Sequence, residues 1–253
     1  MLYKNIAIKA AKEAGNILIK NYNKIAKVTK KARNNFVTNV DLAVEKAIFK
    51  IIKKHTNHSI LSEESGKIDK NSDYKWIIDP LDGTHNYMHG FPIFGTSIAL
   101  EHKGEVILGV ISLPLLNHMF IAEKGKGAYL NGKKIKVSNI KKLDKSLMVM
   151  DSALHRNAKS KFTFIKKASR KIFRVRLSGC AVFDLTTLAS GNADEYVLFQ
   201  IHPWDIAAGF LLIREAGGAI TDFKGGAVDH YTKRFVASNS KVHKQILRLL
   251  TKN

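Results

Sequence analysis

Apolar residues recur at helical spacing in two segments near the start of the chain. The first segment, Leu2 to Tyr22, predicts an amphipathic helix with one face toward the core. The second begins at Thr38 and Asn39, which suit the N-cap of a helix, and its apolar positions again share one face. A basic link from Lys24 to Asn35 joins the two predicted helices.

Shorter apolar runs bounded by turn residues follow, and they predict strands. His58 to Glu64 is one such run. The run Trp76-Ile77-Ile78 is typical of the end of a buried strand, after which Pro80 and Gly83 turn the chain away. Between Phe94 and Tyr129 the pattern indicates a meander of antiparallel strands.

After Lys142 the pattern alternates between strand and helix. The predicted strands are Leu147–Met150, Ile172–Leu177, Ala193–Phe199 and Phe235–Ala237. The predicted helices are Arg156–Ser169, Ala181–Ala189, Pro203–Ala216 and a closing helix. This order favours an α+β fold of layered sheets and helices, in one domain of residues 1–253. We expect two lobes, about 1–142 and 143–253, that share one continuous structure.

Composition narrows the class of protein. The chain has 253 residues, 45% of them hydrophobic, which is enough to bury a substantial core. Cys180 is its one cysteine, so no internal disulfide forms and a reducing compartment is expected. Charged residues interrupt the first twenty positions, which therefore resemble neither a signal peptide nor a membrane span. We expect a soluble, cytoplasmic protein.

The formal net charge of +21 raises the question of nucleic-acid binding. The basic residues are 34 Lys and 8 Arg, and the lysines are spread as singles and pairs between apolar positions. Surfaces that read bases and clamp phosphates usually rely on Arg, so this composition argues against a dedicated nucleic-acid surface. An RNA-associated role stays open as the alternative. The charge does predict a positive field that attracts anionic small molecules.

Acidic residues are scarce, and several occupy turns or helix starts where they could face a cleft. Asp79 and Asp82 share one predicted turn, where a hard dication between them would relieve their repulsion. A polar turn explains such a pair equally well when it stands alone. Asp41, Glu63 and Asp205 lie in comparable places, and helix-dipole compensation is the alternative for Asp205.

The motifs that carry these acids resemble the signatures of the inositol monophosphatase family. The matching segments are Val37–Asp41, Ile60–Ser65, Asp79–Thr84, Gly125–Asn131, Trp204–Gly209 and Glu215–Gly218, in the order of the family and over nearly the whole chain. Members of that family are magnesium-dependent, lithium-sensitive phosphomonoesterases. The resemblance implies an αβαβα layered sandwich of the inositol monophosphatase and fructose-1,6-bisphosphatase type, assembled as a homodimer.

The resemblance also implies the metal ligands. Glu63, Asp79 and the Leu81 carbonyl would hold one Mg²⁺, and all are hard oxygen donors. Asp79, Asp82 and Asp205 would hold a second ion, and Glu63 with water a weaker third. Thr84, hydrogen-bonded to Asp41, would activate the attacking water, and a water near Asp82 would protonate the departing alkoxide. No phosphoenzyme is needed in this scheme.

The resemblance also implies a substrate pocket. The phosphate would meet the amides of Gly83 and Thr84, and the segment Gly179-Cys180-Ala181, with Asp205, would lie beside the substrate hydroxyls. A simple strand-to-helix turn also explains Gly179, and both explanations can hold together. For Cys180 the favoured explanation is a small residue at a place where the backbone approaches closely.

At the position where inositol-specific members carry a hydroxyl-binding glutamate, this chain has Leu198. Myo-inositol monophosphate is the first substrate expected. Because of Leu198, fructose 1,6-bisphosphate, histidinol phosphate and adenosine 3′,5′-bisphosphate remain alternatives. His85 is expected to be a turn residue, and contact with the phosphate is the alternative. His89 and His202 have no partners at zinc-ligand spacing, so a zinc site is not expected.

Overall fold

The computed structural model describes residues 2–24, 28–32 and 35–251. Its helices are α1 Leu2–Asn21, α2 Asn39–His55, α3 Thr84–Met88, α4 Ala158–Ala168, α5 Ala181–Ala189, α6 Pro203–Glu215 and α7 His243–Thr251. Short 3₁₀ turns cover Pro114–Leu116 and Leu143–Lys145. None of the described helices combines the length and the apolar character needed to cross a membrane.

The strands form three sheets. A hairpin pairs β1 Val28–Ala32 with β2 Asn35–Thr38. The strands of the large sheet are β3 Ser59–Ser62, β4 Gly66–Ile68, β5 Tyr74–Asp82, β6 Gly95–His102, β7 Glu105–Leu113, β8 His118–Glu123, β9 Ala128–Leu130 and β10 Lys133–Lys134, in the order β10-β9-β8-β7-β6-β5-β3-β4. The strands of the smaller sheet are β11 Leu147–Met150, β12 Arg174–Arg176, β13 Glu195–Leu198, β14 Ala219–Thr221 and β15 Phe235–Ser238, in the order β12-β11-β13-β15-β14.

Both larger sheets are mixed. In the eight-stranded sheet, β3 and β5 run parallel to each other, and the other described pairs of neighbouring strands are antiparallel. In the second, β11 runs parallel to both β12 and β13, and β15 is antiparallel to its neighbours.

Successive side chains along a strand point into different hydrophobic cores, one on each face of the sheet. The sheets and helices are therefore stacked in five layers. Trp76 and Ile78 on β5 face α1 and α2, whereas Ile77 faces the core around α5 and α6. In the smaller sheet Val149 joins that same middle core, and Met148 faces the core of α4 and α7. The order is therefore helices, eight-stranded sheet, helices, five-stranded sheet, helices, which confirms the expected sandwich.

The helices of the middle layer, α5 and α6, pack closely. A Cβ atom added at Gly209 on α6 would lie 2.5 Å from Leu185 Cδ1 and 2.8 Å from Leu185 Cβ on α5. The missing side chain therefore sets how near the two helices come.

Most of the elements expected from the sequence are present, including the Thr38 cap, the antiparallel meander and the strand over Leu147–Met150. The predicted basic link over 24–35 is wrong where it is described, because residues 28–32 pair with 35–38 as a hairpin. Residues 25–27 and 33–34 of that link lie outside the described residues. The lobe boundary near residue 142 stays a prediction, although the middle core draws on both sheets.

The turn expected at Pro80 is also wrong. Strand β5 continues through Pro80 to Asp82, and its pairing with β6 is irregular between Asp79 and Asp82. Pro80 has no N–H to give to a neighbour, but its carbonyl accepts a hydrogen bond of 2.9 Å from Thr96 Oγ1. A proline is tolerated at such an irregularity, so the chain leaves the sheet only at Gly83.

Candidate active site

Parallel pairing of two strands brings the first acidic residues together. Ser62, the last residue of β3, is in register with Ile78 on β5. The next residue, Glu63, donates its backbone N–H to the Ile78 carbonyl at 3.2 Å. Glu63 therefore leaves the sheet beside Asp79, and its charge is among those that raise the pKa of Asp79.

Asp79 is the most deeply buried of these acids, with 1% of its surface exposed. Its Oδ1 accepts the Leu81 N–H at 3.0 Å, but no group among the described residues donates to Oδ2. Burial raises the pKa of Asp79 well above its ordinary value, and the charges of Glu63, Asp82 and Asp205 raise it further. A buried carboxylate surrounded by like charges is costly unless a cation or a proton compensates it.

Asp205 reaches the same place from the first turn of α6. Pro203 begins this helix, where a missing N–H has no consequence. Asp205 Oδ2 accepts the His202 N–H at 3.1 Å, so the residue does cap its helix as the alternative explanation proposed. Its carboxyl group also lies within hydrogen-bonding reach of Asp79. Burial and then the charges of Asp82 and Glu63 raise the pKa of Asp205 well above its ordinary value.

Asp82 connects the end of β5 to the start of α5. Its Oδ2 accepts the Val182 N–H at 2.6 Å and lies 3.2 Å from Cys180 Sγ. Burial raises the pKa of Asp82, and the donors at Val182 and Cys180 oppose that rise. The next residue, Gly83, has a φ of 84°, and a Cβ there would lie 2.9 Å from the Ile93 carbonyl oxygen. Only glycine fits this exit from the strand.

Asp41 approaches from the N-terminus of α2. Thr38 caps this helix, and its N–H donates to Asp41 Oδ2 at 2.9 Å while its hydroxyl also contacts Oδ2. Thr84 Oγ1 lies 3.3 Å from Asp41 Oδ1 and 2.9 Å from the Leu81 carbonyl oxygen. Burial raises the pKa of Asp41, and the hydrogen bonds from Thr38 and Thr84 oppose that rise.

A further acid on α2, Glu45, supports the loop that carries Glu63. Its Oε1 accepts the hydroxyl of Ser62 and the N–H of Ser65, the latter at 3.1 Å. The Ser65 hydroxyl donates to Oε2. Sequence reasoning missed this buried residue, although its place four residues after Asp41 puts both acids on one face of the helix.

The acids suit a hard cation without forming a finished coordination shell. Across residues 2–24, 28–32 and 35–251, no three His, Cys, Asp or Glu side chains already converge closely enough to enclose a metal ion. The observation in favour of a cation is the unpartnered Oδ2 of Asp79 among like charges. The donors in reach are carboxylate and carbonyl oxygens, the ligands that Mg²⁺ prefers.

A cavity of about 180 Å³ opens beside Asp82. Among its lining residues are several that the sequence singled out: Asp82, Gly179, Cys180, Ala181 and Leu198. Leu198 is 1% exposed and belongs to the middle core. Burial, and then the charge of Asp82, raise the pKa of the Cys180 thiol well above its ordinary value, which does not suit a nucleophile.

The same cavity is lined by polar residues that sequence reasoning missed, namely Asp151, Ser152, Arg156, Asp184, Tyr196 and Gln200. Asp151 pairs with the fully buried Lys161, whose Nζ also donates to the Ala153 carbonyl at 2.6 Å. Asp184 carried a usable signal, because it is the one acid on the otherwise apolar or neutral helix α5. The three histidines that the sequence singled out lie at the periphery of the site. His85 is exposed on α3, His89 is exposed just after it, and His202 precedes α6 and stacks on Trp204.

The chain is similar over nearly its whole length to proteins of one known family. The profile of the inositol monophosphatase family matches residues 3–253. The Nus factor SuhB of Escherichia coli strain K12 is 38% identical over 249 residues, which cover 96% of this chain and 93% of that protein. A fructose-1,6-bisphosphatase/inositol-1-monophosphatase of Thermotoga maritima is 34% identical over 247 residues, which cover 97% of this chain and 94% of that protein.

A solved structure shows the same relationship. The extragenic suppressor protein suhB from Bartonella henselae matches with a TM-score of 0.97 at 32% identity, covering 100% of both chains. The chain belongs to the inositol monophosphatase family. The resemblance seen in the sequence motifs is thereby confirmed.

Proposed function

We propose that this protein is a Mg²⁺-dependent phosphatase that hydrolyses the phosphate monoester of a small alcohol. The observation that carries the proposal is Asp79, a buried carboxylate whose Oδ2 has no donor and whose neighbours are Glu63, Asp82 and Asp205. Family membership supports the same chemistry. The positive net charge of the protein favours an anionic substrate.

In this proposal the metal ligands are those expected from the motifs. Glu63, Asp79 and the Leu81 carbonyl would hold one Mg²⁺. Asp79, Asp82 and Asp205 would hold a second. The Leu81 carbonyl already accepts the Thr84 hydroxyl at 2.9 Å, and a carbonyl oxygen has a second lone pair for a cation. When bound, Mg²⁺ neutralises charge on the phosphate and makes water a stronger acid.

Proton transfer is proposed for the pair Asp41 and Thr84. Thr84 Oγ1 accepts a hydrogen bond from the attacking water and donates its own proton toward Asp41 Oδ1, 3.3 Å away. Asp41 stays fixed because Thr38 binds its other oxygen. Asp82 holds the water that returns a proton to the departing alcohol oxygen. The products are the free alcohol and inorganic phosphate, and no covalent intermediate on the protein is required.

Myo-inositol monophosphate is the first substrate proposed, and the three other phosphate esters expected from the sequence are its competitors. The name of the Thermotoga relative joins two of these activities. Leu198 offers no acceptor for a hydroxyl, so the preference has to come from other residues of the 180 Å³ cavity. The homodimer and lithium inhibition are parts of the proposal that rest on the resemblance.

The test is phosphate release with Mg²⁺, with and without Li⁺, from inositol 1-phosphate, fructose 1,6-bisphosphate, histidinol phosphate and adenosine 3′,5′-bisphosphate. We expect lithium-sensitive turnover of one ester well above the rest. Asp82→Asn should lower turnover by at least about 100-fold. Asp73→Asn is the matched control, because Asp73 is an exposed surface acid near Lys103. Normal activity in Asp82→Asn would disprove the metal assignment.

An RNA-associated binding role is the second candidate. It is supported by the net charge of +21 and by the name Nus factor that SuhB relatives carry. This role predicts RNA affinity that falls steeply as salt rises and that persists in Asp82→Asn. Filter binding of a structured RNA at 50 and 200 mM salt tests it. Affinity that is weak and independent of salt would exclude it.

A further inference from the structure

We propose that Asp184 is a specificity-determining residue that accepts a hydrogen bond from a hydroxyl group of the substrate, in place of the acceptor that Leu198 cannot provide. The proposal rests on the proposed phosphatase function and deepens it. It assigns the 180 Å³ cavity to a polyhydroxylated alcohol such as a cyclitol or a sugar.

The first support is the hydrogen bonding of the three carboxylates that line the cavity. Asp82 accepts the Val182 N–H at 2.6 Å. Asp151 accepts the Ala153 N–H at 2.7 Å and pairs with Lys161. Asp184 is 1% exposed and its carboxyl lies within hydrogen-bonding reach of the Ser178 hydroxyl, but among the described residues no group donates to its Oδ1. Of these three, Asp184 is therefore the one with a buried oxygen that still lacks a donor, and such an oxygen is costly unless a ligand or water supplies one.

The second support is that helix capping does not account for Asp184. An acid in the first turn of a helix usually satisfies the free amide groups there. In α5 those amides, at Ala181 and Val182, are directed to Asp82 instead. Asp184 lies one turn after Cys180, donates its own N–H to the Cys180 carbonyl at 3.1 Å, and lines the cavity with its side chain.

The third support is the placement of Leu198. Leu198 and Asp184 line the same cavity, Leu198 from β13 of the smaller sheet and Asp184 from α5. An apolar wall and a carboxylate together suit a ring that presents C–H groups on one side and hydroxyl groups on another. The buried oxygen of Asp184 favours a hydroxyl group over a second phosphate at this point, because a hydroxyl group can donate a hydrogen bond to it and an ionised phosphate oxygen cannot.

The experiment compares two esters with the same ring in the presence of Mg²⁺. Inositol 1-phosphate carries ring hydroxyls, and cyclohexyl phosphate lacks them. We expect Asp184→Ala, which removes the acceptor, to lower the ratio of kcat/KM for inositol 1-phosphate over that for cyclohexyl phosphate by about 10- to 100-fold relative to wild type. Asp184→Asn keeps the size of the side chain and one acceptor oxygen, so its ratio should fall between those of wild type and Asp184→Ala. Asp73→Asn serves as the surface control. Because the ratio is compared between variants, the different leaving-group reactivities of the esters cancel.

The outcomes separate the two proposals. A wild-type enzyme that cleaves both esters, with a ratio that Asp184→Ala leaves unchanged, overturns the assignment of Asp184 and keeps the phosphatase. A wild-type protein that cleaves neither ester but does cleave another ester of the panel above overturns the assignment of Asp184 alone. A wild-type protein that releases phosphate from none of these esters overturns both proposals. If Asp184→Ala does not fold, wild type is measured for inositol inhibition of cyclohexyl phosphate cleavage, compared with cyclohexanol. Equal inhibition by the two alcohols counts against a hydroxyl acceptor, and stronger inhibition by inositol supports one.

Discussion

The hydroxyl of Thr84 lies between two acceptors, 2.9 Å from the Leu81 carbonyl oxygen and 3.3 Å from Asp41 Oδ1. A hydroxyl has one proton, so it can donate fully to only one of them at a time. In the proposed mechanism, a cation on the Leu81 carbonyl would weaken the pull of that oxygen on the proton and favour donation to Asp41. Metal binding and activation of the water would then be coupled through the Thr84 hydroxyl.

Replacing Thr84 tests this coupling. Thr84→Val keeps the shape of the side chain and removes the hydroxyl, so kcat should fall by about 100- to 10,000-fold, the range typical of general acid–base groups. Thr84→Ser, the matched control, should stay within about 10-fold of wild type, because it keeps the donor and acceptor. Steady-state phosphate release gives both values. A Thr84→Val enzyme with near-normal kcat would remove Thr84 from the mechanism.

Metal binding should be visible as thermal stability, because a cation relieves repulsion around Asp79. With Mg²⁺ at about 100 times its Kd, the melting temperature should rise by roughly 5–10 °C. Asp205→Asn removes one of the repelling charges, so the metal-free protein should melt no lower than wild type. The rise with Mg²⁺ should become smaller in this variant, because the second proposed ion loses a ligand while the first keeps all of its own. Differential scanning calorimetry with EDTA or Mg²⁺ measures both. Asp73→Asn should keep the full rise, and a full rise in Asp205→Asn would show that Asp205 is no ligand.

Glu45 should act on metal affinity without touching the metal. Glu45→Ala removes the acceptor for Ser62 and Ser65, so the loop bearing Glu63 is no longer held. We expect the Mg²⁺ concentration for half-maximal activity to rise by about 10-fold, the effect typical of residues that orient metal ligands. Glu45→Gln can still accept a hydrogen bond at one oxygen, so its Mg²⁺ requirement should lie between those of wild type and Glu45→Ala. Glu13→Ala on the exposed side of α1 is the control. An unchanged Mg²⁺ requirement in Glu45→Ala would contradict the positioning role.

Glu195 should make stability depend on pH. It is fully buried on β13, and its Oε1 accepts the Ser146 hydroxyl at 2.7 Å. Within the part of the chain that the structure describes, Oε2 has no donor. Burial raises the pKa of Glu195 to about 8. Between the unfolded value near 4.5 and this folded value, the folded protein binds more protons than the unfolded chain, so stability falls as pH rises.

The loss assigned to Glu195 should reach about 2–4 kcal/mol of unfolding free energy between pH 5 and pH 8. Glu195→Gln cannot ionise and should lose less over that interval. Urea unfolding at several pH values measures the difference. Glu105→Gln, an exposed acid paired with Lys124, should follow wild type. Parallel curves for Glu195→Gln and wild type would mean that Glu195 does not titrate in this range.

Local signals made much of the fold predictable. The Thr38 cap, the start of α6 at Pro203 and the strand at Leu147–Met150 depend on neighbours within a few residues, and the sequence displays those neighbours. The passage of β5 through Pro80 depends on a hydrogen bond from Thr96, sixteen residues later, which no local pattern reveals.

The residues of the candidate site were likewise predictable only in part. Asp79 and Asp82 stand in a recognisable motif, and their clustering with Glu63 and Asp205 agrees with the prediction, whereas their roles as ligands remain proposals. Glu45 escaped notice because its partners at Ser62 and Ser65 belong to another element. The cavity around Asp184 forms only when α5 packs between the two sheets, so periodicity alone could not assign it a function.

The absence of a side chain at Gly209 reaches further than local packing. Asp82 contacts the start of α5 and Asp205 stands at the start of α6, so the spacing of these helices is also the spacing of two proposed metal ligands. Gly209, which has no side chain, thus helps to set the distance between Asp82 and Asp205. In the proposed mechanism, a larger side chain at Gly209 would shift Asp205 relative to Asp82 as it pushes α6 away from Leu185 on α5.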